Sequence, residues 1–258
     1  MTLRKVTAGE LKGAHFRYYD FVMTAFVVIL VLSNVVGAGK RAVIDVPYFG
    51  LWPFGAGILF FPLSYILDDI LTEVYGYARA RRVVWAGFAA LAFLVVMEWT
   101  VVALPPASDW GGQGHYEYVF GEPPHWIAQF PYVSVGIGGR IAFASLCAFW
   151  VGDFLNSFVL AKMKILTEGK WLWTRTIGST IVGEGADSLV FYPLAFLGLP
   201  DWPLHAMLAV MVSQFLFKTL WEVFLTPVTY AIVGFLKRAE GVDVYDEGTN
   251  FTPFETRV

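Results

Sequence analysis

The chain has 258 residues, of which 57% are hydrophobic, 17% aromatic and only 15% charged. A soluble domain is nearer a quarter charged, so this balance indicates an integral membrane protein. A net charge of −3 leaves no basic face for a nucleic acid, and the single cysteine, Cys147, excludes a disulfide framework or a thiolate metal site, so no cofactor is expected.

A helix needs about 20 apolar residues to cross roughly 30 Å of hydrocarbon. Six segments qualify, at residues 18–39, 54–71, 83–104, 134–161, 177–199 and 204–236. They predict an all-α membrane protein in which residues 1–258 form one membrane domain. The first segment starts only after Arg17 and lacks a small-residue cleavage site, so it reads as a retained helix. The second holds only about 14 uninterrupted apolar residues, below the usual span unless its carboxylates are included. That shortness marks a functional helix. Residues 105–133, which carry Trp110, Tyr116, Trp126 and Phe130, read either as an interfacial loop or as a lid.

Basic residues set the orientation. Arg4, Lys5, Lys12 and Arg17 precede the first segment, Arg79, Arg81 and Arg82 follow the second, and Lys162, Lys164, Lys170 and Arg175 follow the fourth. Lys237 and Arg238 follow the sixth. The positive-inside rule therefore places both termini in the cytoplasm. A 3+3 inverted repeat is also suggested, by one spacing shared between Asn34–Lys40 and Asn156–Lys162 and by FPL at residues 61–63 against YPL at 192–194.

Acidic residues recur inside the apolar segments: Asp68, Asp69 and Glu73, then Glu98, Asp153, Glu184, Asp187 and Glu222. A carboxylate at the membrane centre costs roughly 2.5–3.5 kcal/mol on insertion scales, so each is expected to face a partner or a wet cavity. At about 1.5 Å per residue, Asp68 and Lys218 lie roughly 21 Å from the outer ends of their helices, and Glu184 and Asp187 roughly 10–15 Å from the inner end of theirs. Glu184 and Asp187 are three apart and share a face, as do Asp153 and Asn156. Asp69 with Glu73, and Lys218 with Glu222, are four apart. Lys218 and Glu222 read either as an intrahelical ion pair or as site residues. Glu73 is expected at the cytoplasmic headgroups beside Arg79 and Arg81. Glu184 and Asp187 have no local cation, which leaves them protonated, paired with Lys218 or Arg140, or offered to a ligand.

The ordered motifs FPLSYILDDILTEVYGYARARR, GRIAFASLCAFWVGDFLN, TRTIGSTIVGEGADSLVFYPLAFLG and KTLWEVFLTPVTYAIVGFLKRAEGVDVYD together resemble the queuosine precursor transporter (vitamin uptake transporter) family of bacterial inner-membrane proteins. The resemblance runs from about residue 34 to 246. It implies a six-helix carrier importing 7-cyano-7-deazaguanine, 7-aminomethyl-7-deazaguanine or queuine. It also implies kinship with the substrate-binding subunits of energy-coupling-factor vitamin transporters. A guanine-like edge offers a ring N–H beside an exocyclic amine, which one carboxylate accepts together; Asp187 or Glu184 suits this. The neighbouring carbonyl calls for a donor such as Asn34, Asn156, Gln214 or Lys218, and Tyr192 is one of the aromatics on which the bicycle would stack. Asp68 and Glu222 complete the candidate substrate-binding set. Membrane lipid is the surrounding partner; self-association and protons as the coupling ion stay open.

Two rival readings follow from the same residues. One is a subunit of a larger uptake complex. The other is an intramembrane enzyme. A serine protease is excluded because no histidine lies at membrane depth. A CDP-alcohol phosphotransferase lacks its second aspartate set, but Asp68 with Asp187 imitates an aspartyl protease pair.

Overall fold

The computed structural model describes residues 4–7, 10, 15–37, 41–46, 50–55, 59–112, 137–198 and 202–255. Among these, the helices are α1 (Tyr19–Gly37), α2 (Phe61–Tyr75), α3 (Tyr77–Ala103), α4 (Ile137–Leu166), α5 (Leu172–Phe196) and α6 (Leu204–Glu240). Four short strands accompany them: β1 (Arg4–Thr7), β2 (Arg41–Val46), β3 (Gly50–Gly55) and β4 (Val242–Tyr245). The protein is thus mostly helical, with two small sheets that an all-α reading does not include. Most of the aromatic stretch at 105–133 lies outside the described residues, and the side chain of Arg140 does too.

The distribution of side chains is that of a protein in lipid. Phe93, Leu220 and Phe224 are 66%, 64% and 70% exposed on the outer faces of their helices, whereas Asp68, Asp69 and Glu73 are 0% exposed inside. Water would favour the reverse, because burying charge without a partner is costly and apolar surface is driven inward. Among the described residues, α3, the 141–166 stretch of α4 and α6 are each long and apolar enough to cross a bilayer. The chain is an integral membrane protein.

The second expected span is corrected at its start. Residues 54 and 55 do not open a helix; they end β3, which pairs antiparallel with β2 from Arg41 opposite Gly55 to Val46 opposite Gly50. Pro53 is tolerated there because a two-stranded ribbon has only edges. α2 begins at Phe61 with Pro62 in its first turn, where a missing N–H costs nothing. It therefore spans about 22 Å, less than the hydrocarbon thickness. α2 is buried on nearly every side, packed among α1, α3, α4 and α6, so its carboxylates face protein rather than lipid. Its apolar side chains Ile70, Leu71 and Val74 join Phe26 and Leu30 of α1 and Val83 and Val84 of α3 in the main core.

Gly76 separates α2 from α3 at φ +84°, a left-handed conformation that costs glycine little. A Cβ there would also lie 2.9 Å from Val244 Cγ1. The backbone N–H of Tyr77, opening α3, donates to both oxygens of Asp246 at 3.1 and 3.0 Å. An anion at that end also suits the helix dipole. Burial still pushes the Asp246 carboxyl above its ordinary 3.8, and the Tyr77 N–H opposes that rise.

β1 pairs parallel with β4, so the first described segment lies beside the strand that follows α6. At the same end, Glu240 accepts the Arg17 and Tyr18 amides at 3.0 and 2.8 Å, tying the start of α1 to the end of α6. The segment after β4 lies along α3. Arg81 donates to the Asn250 and Thr252 carbonyls at 2.8 and 2.9 Å, and Trp85 to that of Pro253 at 2.8 Å. Asp243 of β4 bridges Lys164 of α4, at 2.8 Å, and Lys237 of α6, at 2.6 Å. Burial raises the Asp243 carboxyl, but the two lysines outweigh it and hold the group below its ordinary 3.8. A depressed folded-state value contributes stability above the unfolded value and loses it as pH falls through the folded one. The melting-temperature gap between wild type and Asp243→Asn in detergent is therefore expected to be full near neutrality and to close as pH drops below the ordinary carboxylate range. A gap that stays constant to about pH 3 would remove the ion-pair explanation.

Candidate functional site

Helical spacing puts Glu184 and Asp187 on one face of α5, and that face meets α6. Lys218 Nζ lies 2.7 Å from Glu184 Oε2 and 3.0 Å from Asp187 Oδ2. One cation thus serves two carboxylates. The intrahelical pair Lys218–Glu222 does not form: Lys218 turns to α5, and both oxygens of the buried Glu222 have no hydrogen-bond partner among the described residues. Lysine placed N-terminal to glutamate is the weaker order of an i,i+4 pair, and two carboxylates across the interface outweigh one on the same helix.

Aromatics border this group. Tyr65 of α2 and Tyr192 of α5 are both buried and lie within electrostatic reach of Glu184 and Asp187. The Phe61 ring centre is 5.7 Å from Lys218 Nζ, a cation–π distance. Tyr65 fits where α4 and α5 leave room. Its hydroxyl would lie 2.8 Å from a Cβ on Gly152, and its Cε1 3.3 Å from one on Gly183. The backbones touch there: a Cβ on Gly183 would stand 2.9 Å from the Gly152 carbonyl oxygen. Small residues allow this approach between membrane helices.

A second polar group joins α2, α4 and α5. Asn156 Nδ2 donates to Asp68 Oδ2 at 3.0 Å and to Asp69 Oδ1 at 2.8 Å. Ser157 donates to both Asp68 oxygens at 2.9 and 2.8 Å, and Ser179 approaches Asp69 Oδ1 at 3.4 Å. Asp69 Oδ2 and Asn156 Oδ1 are buried without partners among the described residues. Asp153, on α4, also has both oxygens buried and without a partner among the described residues, and is within electrostatic reach of Asp68, Glu184, Asp187 and Lys218. It links the two groups.

Glu73 is held by cations other than the expected Arg79 and Arg81. It is fully buried, and Arg175 of α5 grips it through Nε and Nη2, both at 2.8 Å. Lys164 lies 3.3 Å away and Lys237 is also bonded to it. Arg79 and Arg81 are engaged differently, Arg79 over the Phe16 ring at 4.7 Å and Arg81 on the C-terminal segment. Three cations converge on Glu73 because α4, α5 and α6 all bring basic residues to this end of α2.

The fold thus gathers Asp187, Glu184, Lys218 and Tyr192 into one group and Asp68 and Asn156 into its neighbour. Gln214 is half-buried, one turn before Lys218 on α6. Asn34 stays on its own helix, its Nδ2 donating to the Leu30 carbonyl at 2.9 Å, so Asn34 and Asn156 make unlike contacts despite their shared sequence context. Asp68 and Asp187 do not pair as an aspartyl dyad, since Asn156 and Ser157 hold one and Lys218 the other. Sequence reasoning left Asp153 out of the site; its spacing from Asn156 was the available signal. Among the described residues, no cluster of histidine, cysteine or carboxylate fits a metal ion.

Residues 55–232 match the family model described as "Putative vitamin uptake transporter". A "Probable queuosine precursor transporter" of Bacillus subtilis is 30% identical over 195 residues, 75% of this chain and 77% of that protein. The "Queuosine precursor transporter" of Escherichia coli is 26% identical over 56% of each chain. A "Probable queuosine precursor transporter" of Haemophilus influenzae is 25% identical over 70% of this chain and 64% of its own length. The chain thus matches about three quarters of the Bacillus protein but less than two thirds of the other two. No solved structure matches it significantly. The three relatives are named as transporters, as a non-enzymatic reading requires.

Proposed function

This chain belongs to the vitamin uptake transporter family, and from that premise we propose that it imports a queuosine precursor of the 7-deazaguanine class. The observation that carries the reading is the Glu184–Asp187–Lys218 group, a paired acceptor and donor at the α5–α6 interface with two tyrosines beside it. In this reading the ligand's ring N–H and exocyclic amine donate to one carboxylate, Asp187 or the unpartnered Asp153. Lys218, already shared between two acceptors, donates to the ligand carbonyl. Tyr65 or Tyr192 supplies the stacking face. An analogue that cannot make those donor contacts leaves buried acceptors unpaired, which is how the site discriminates.

The same proposal takes six crossings of a bacterial inner membrane, with both termini in the cytoplasm and the network around Glu73 at the inner end. The pairing of β1 with β4 supports having both termini on one side, and the cluster of cations there agrees with the positive-inside rule.

The test is binding and uptake of a 7-deazaguanine panel by purified protein, first in detergent and then in proteoliposomes. Asp187→Asn and Glu184→Gln are each expected to weaken binding by roughly 10- to 100-fold, as for loss of one hydrogen bond to a charged group, while insertion stays normal. Wild-type uptake by both variants would sink the site. Uptake by the purified chain alone would exclude an obligatory partner subunit.

A further inference from the structure

The buried acids of this protein fall into two kinds. Glu73 has three cations, and Glu184 with Asp187 has Lys218. Asp69 and Glu222 have none among the described residues. Glu222 is 1% exposed, and neither of its oxygens accepts a hydrogen bond from a described residue. Asp69 is 0% exposed; its Oδ1 accepts from Asn156 and Ser179, while Oδ2 is unpartnered. Glu222 lies within electrostatic reach of Asp69 across the α2–α6 contact.

The surroundings add negative charge rather than relieving it. The charged groups acting on Asp69 are Asp68 on its own helix and Glu222 on α6, with neutral Asn156 from α4 and Ser179 from α5. Glu222 faces Glu184 from α5. Thr180, beside Ser179, also has a buried hydroxyl without a partner. Asp153 differs, because Lys218 is among its electrostatic neighbours and it stands beside the proposed substrate group.

An ionised carboxylate buried without a donor or cation is costly, and the protonated form removes most of that cost. A neutral carboxyl at Glu222 or Asp69 also gains an O–H, a donor that the ionised group lacks. We propose that Asp69 and Glu222 carry a transported proton at a station separate from the Lys218 group, so that substrate entry is coupled to proton entry. One proton enters from outside water while the station is open outward, and is held as the neutral carboxyl while the station is closed between α2 and α6. It is released to the cytoplasm when those helices part on the inner side and water reaches the carboxyl. This rests on the proposed import function, and the two are separable by experiment.

Wild-type, Glu222→Gln and Asp69→Asn proteins would be reconstituted into liposomes and given labelled 7-cyano-7-deazaguanine. Counterflow, which needs no gradient, reports substrate handling. Net accumulation under an inward proton gradient reports coupling. One proton per substrate predicts about tenfold wild-type accumulation for each pH unit of gradient. Both variants are expected to lose pH-driven accumulation relative to whatever counterflow each retains. An internal pH dye should show substrate-dependent proton entry in wild type, a reading that does not depend on either variant folding. Wild-type counterflow without pH-driven accumulation overturns the proton station alone. So does accumulation by Glu222→Gln at the wild-type level, or accumulation driven by sodium and indifferent to pH. Absence of wild-type counterflow overturns the substrate reading and the station together.

Discussion

Replacing Glu73 with glutamine is expected to destabilise the protein by about 3–5 kcal/mol, the usual cost of removing one partner from a buried ion pair. The loss is not one contact. Glu73 receives both a two-nitrogen grip from Arg175 and the ammonium groups of Lys164 and Lys237, and all four side chains are buried or nearly so. Glutamine would leave three cations sharing only Asp243, which bonds the two lysines but not Arg175. The effect should appear as a large drop in detergent melting temperature and as poor recovery after solubilisation. Adding Lys237→Met should restore part of the loss, because it removes one of the unneutralised charges. A Glu73→Gln protein as stable as wild type would show that lipid headgroups or water neutralise the cations instead.

The error over Glu73 shows which part of this molecule a sequence can convey. Read along the chain, its nearest cations are Arg79 and Arg81, and the inner membrane surface is the natural place for all three. Its actual partners Arg175 and Lys237 are 102 and 164 positions away. Lys218 gives the same lesson at shorter range. Glu222 is four positions distant, yet Lys218 bonds Glu184 and Asp187, which are 34 and 31 positions distant. Electrostatic partners are chosen by helix packing, and packing is carried by features with little individual sequence signal, such as Gly152 opposite Gly183.

Other features were legible. Helices α3 and α6 follow directly from their apolar runs, because lipid makes hydrophobicity nearly sufficient for a crossing segment. The same rule misplaced the start of α2, where a continuous apolar run from Phe54 concealed a ribbon ending at Gly55. Proline and glycine at positions 53, 55 and 57 were the signal to stop. The acids at mid-membrane were visible as a set. Their division into paired and unpaired members was not, since it depends on which helix each one faces.

Gly183→Val is expected to abolish uptake, because the α4–α5 contact holds both polar groups in place. Its Cβ would lie 2.8 Å from Asn156 Cβ and 2.9 Å from the Gly152 carbonyl oxygen, closer than real Cβ atoms tolerate, and 3.3 Å from Tyr65 Cε1. Backbone cannot turn aside as a flexible side-chain end can, so α4 and α5 must separate. Separation pulls Asn156 away from Asp68 and Asp69 and frees Tyr65 beside Glu184 and Asp187. Overpacking of this kind costs about 1–3 kcal/mol, which a stable chain survives, so the protein should still insert while deazaguanine binding falls by more than about tenfold, the equivalent of 1.4 kcal/mol. Gly185, two residues along the same helix, provides the control. A Cβ there meets only Phe215 Cε2 at 3.9 Å, an ordinary contact, and alanine favours a helix over glycine. Gly185→Ala should therefore bind and transport as wild type does. Equal behaviour of Gly183→Val and Gly185→Ala would mean that the tight α4–α5 approach does not position the site.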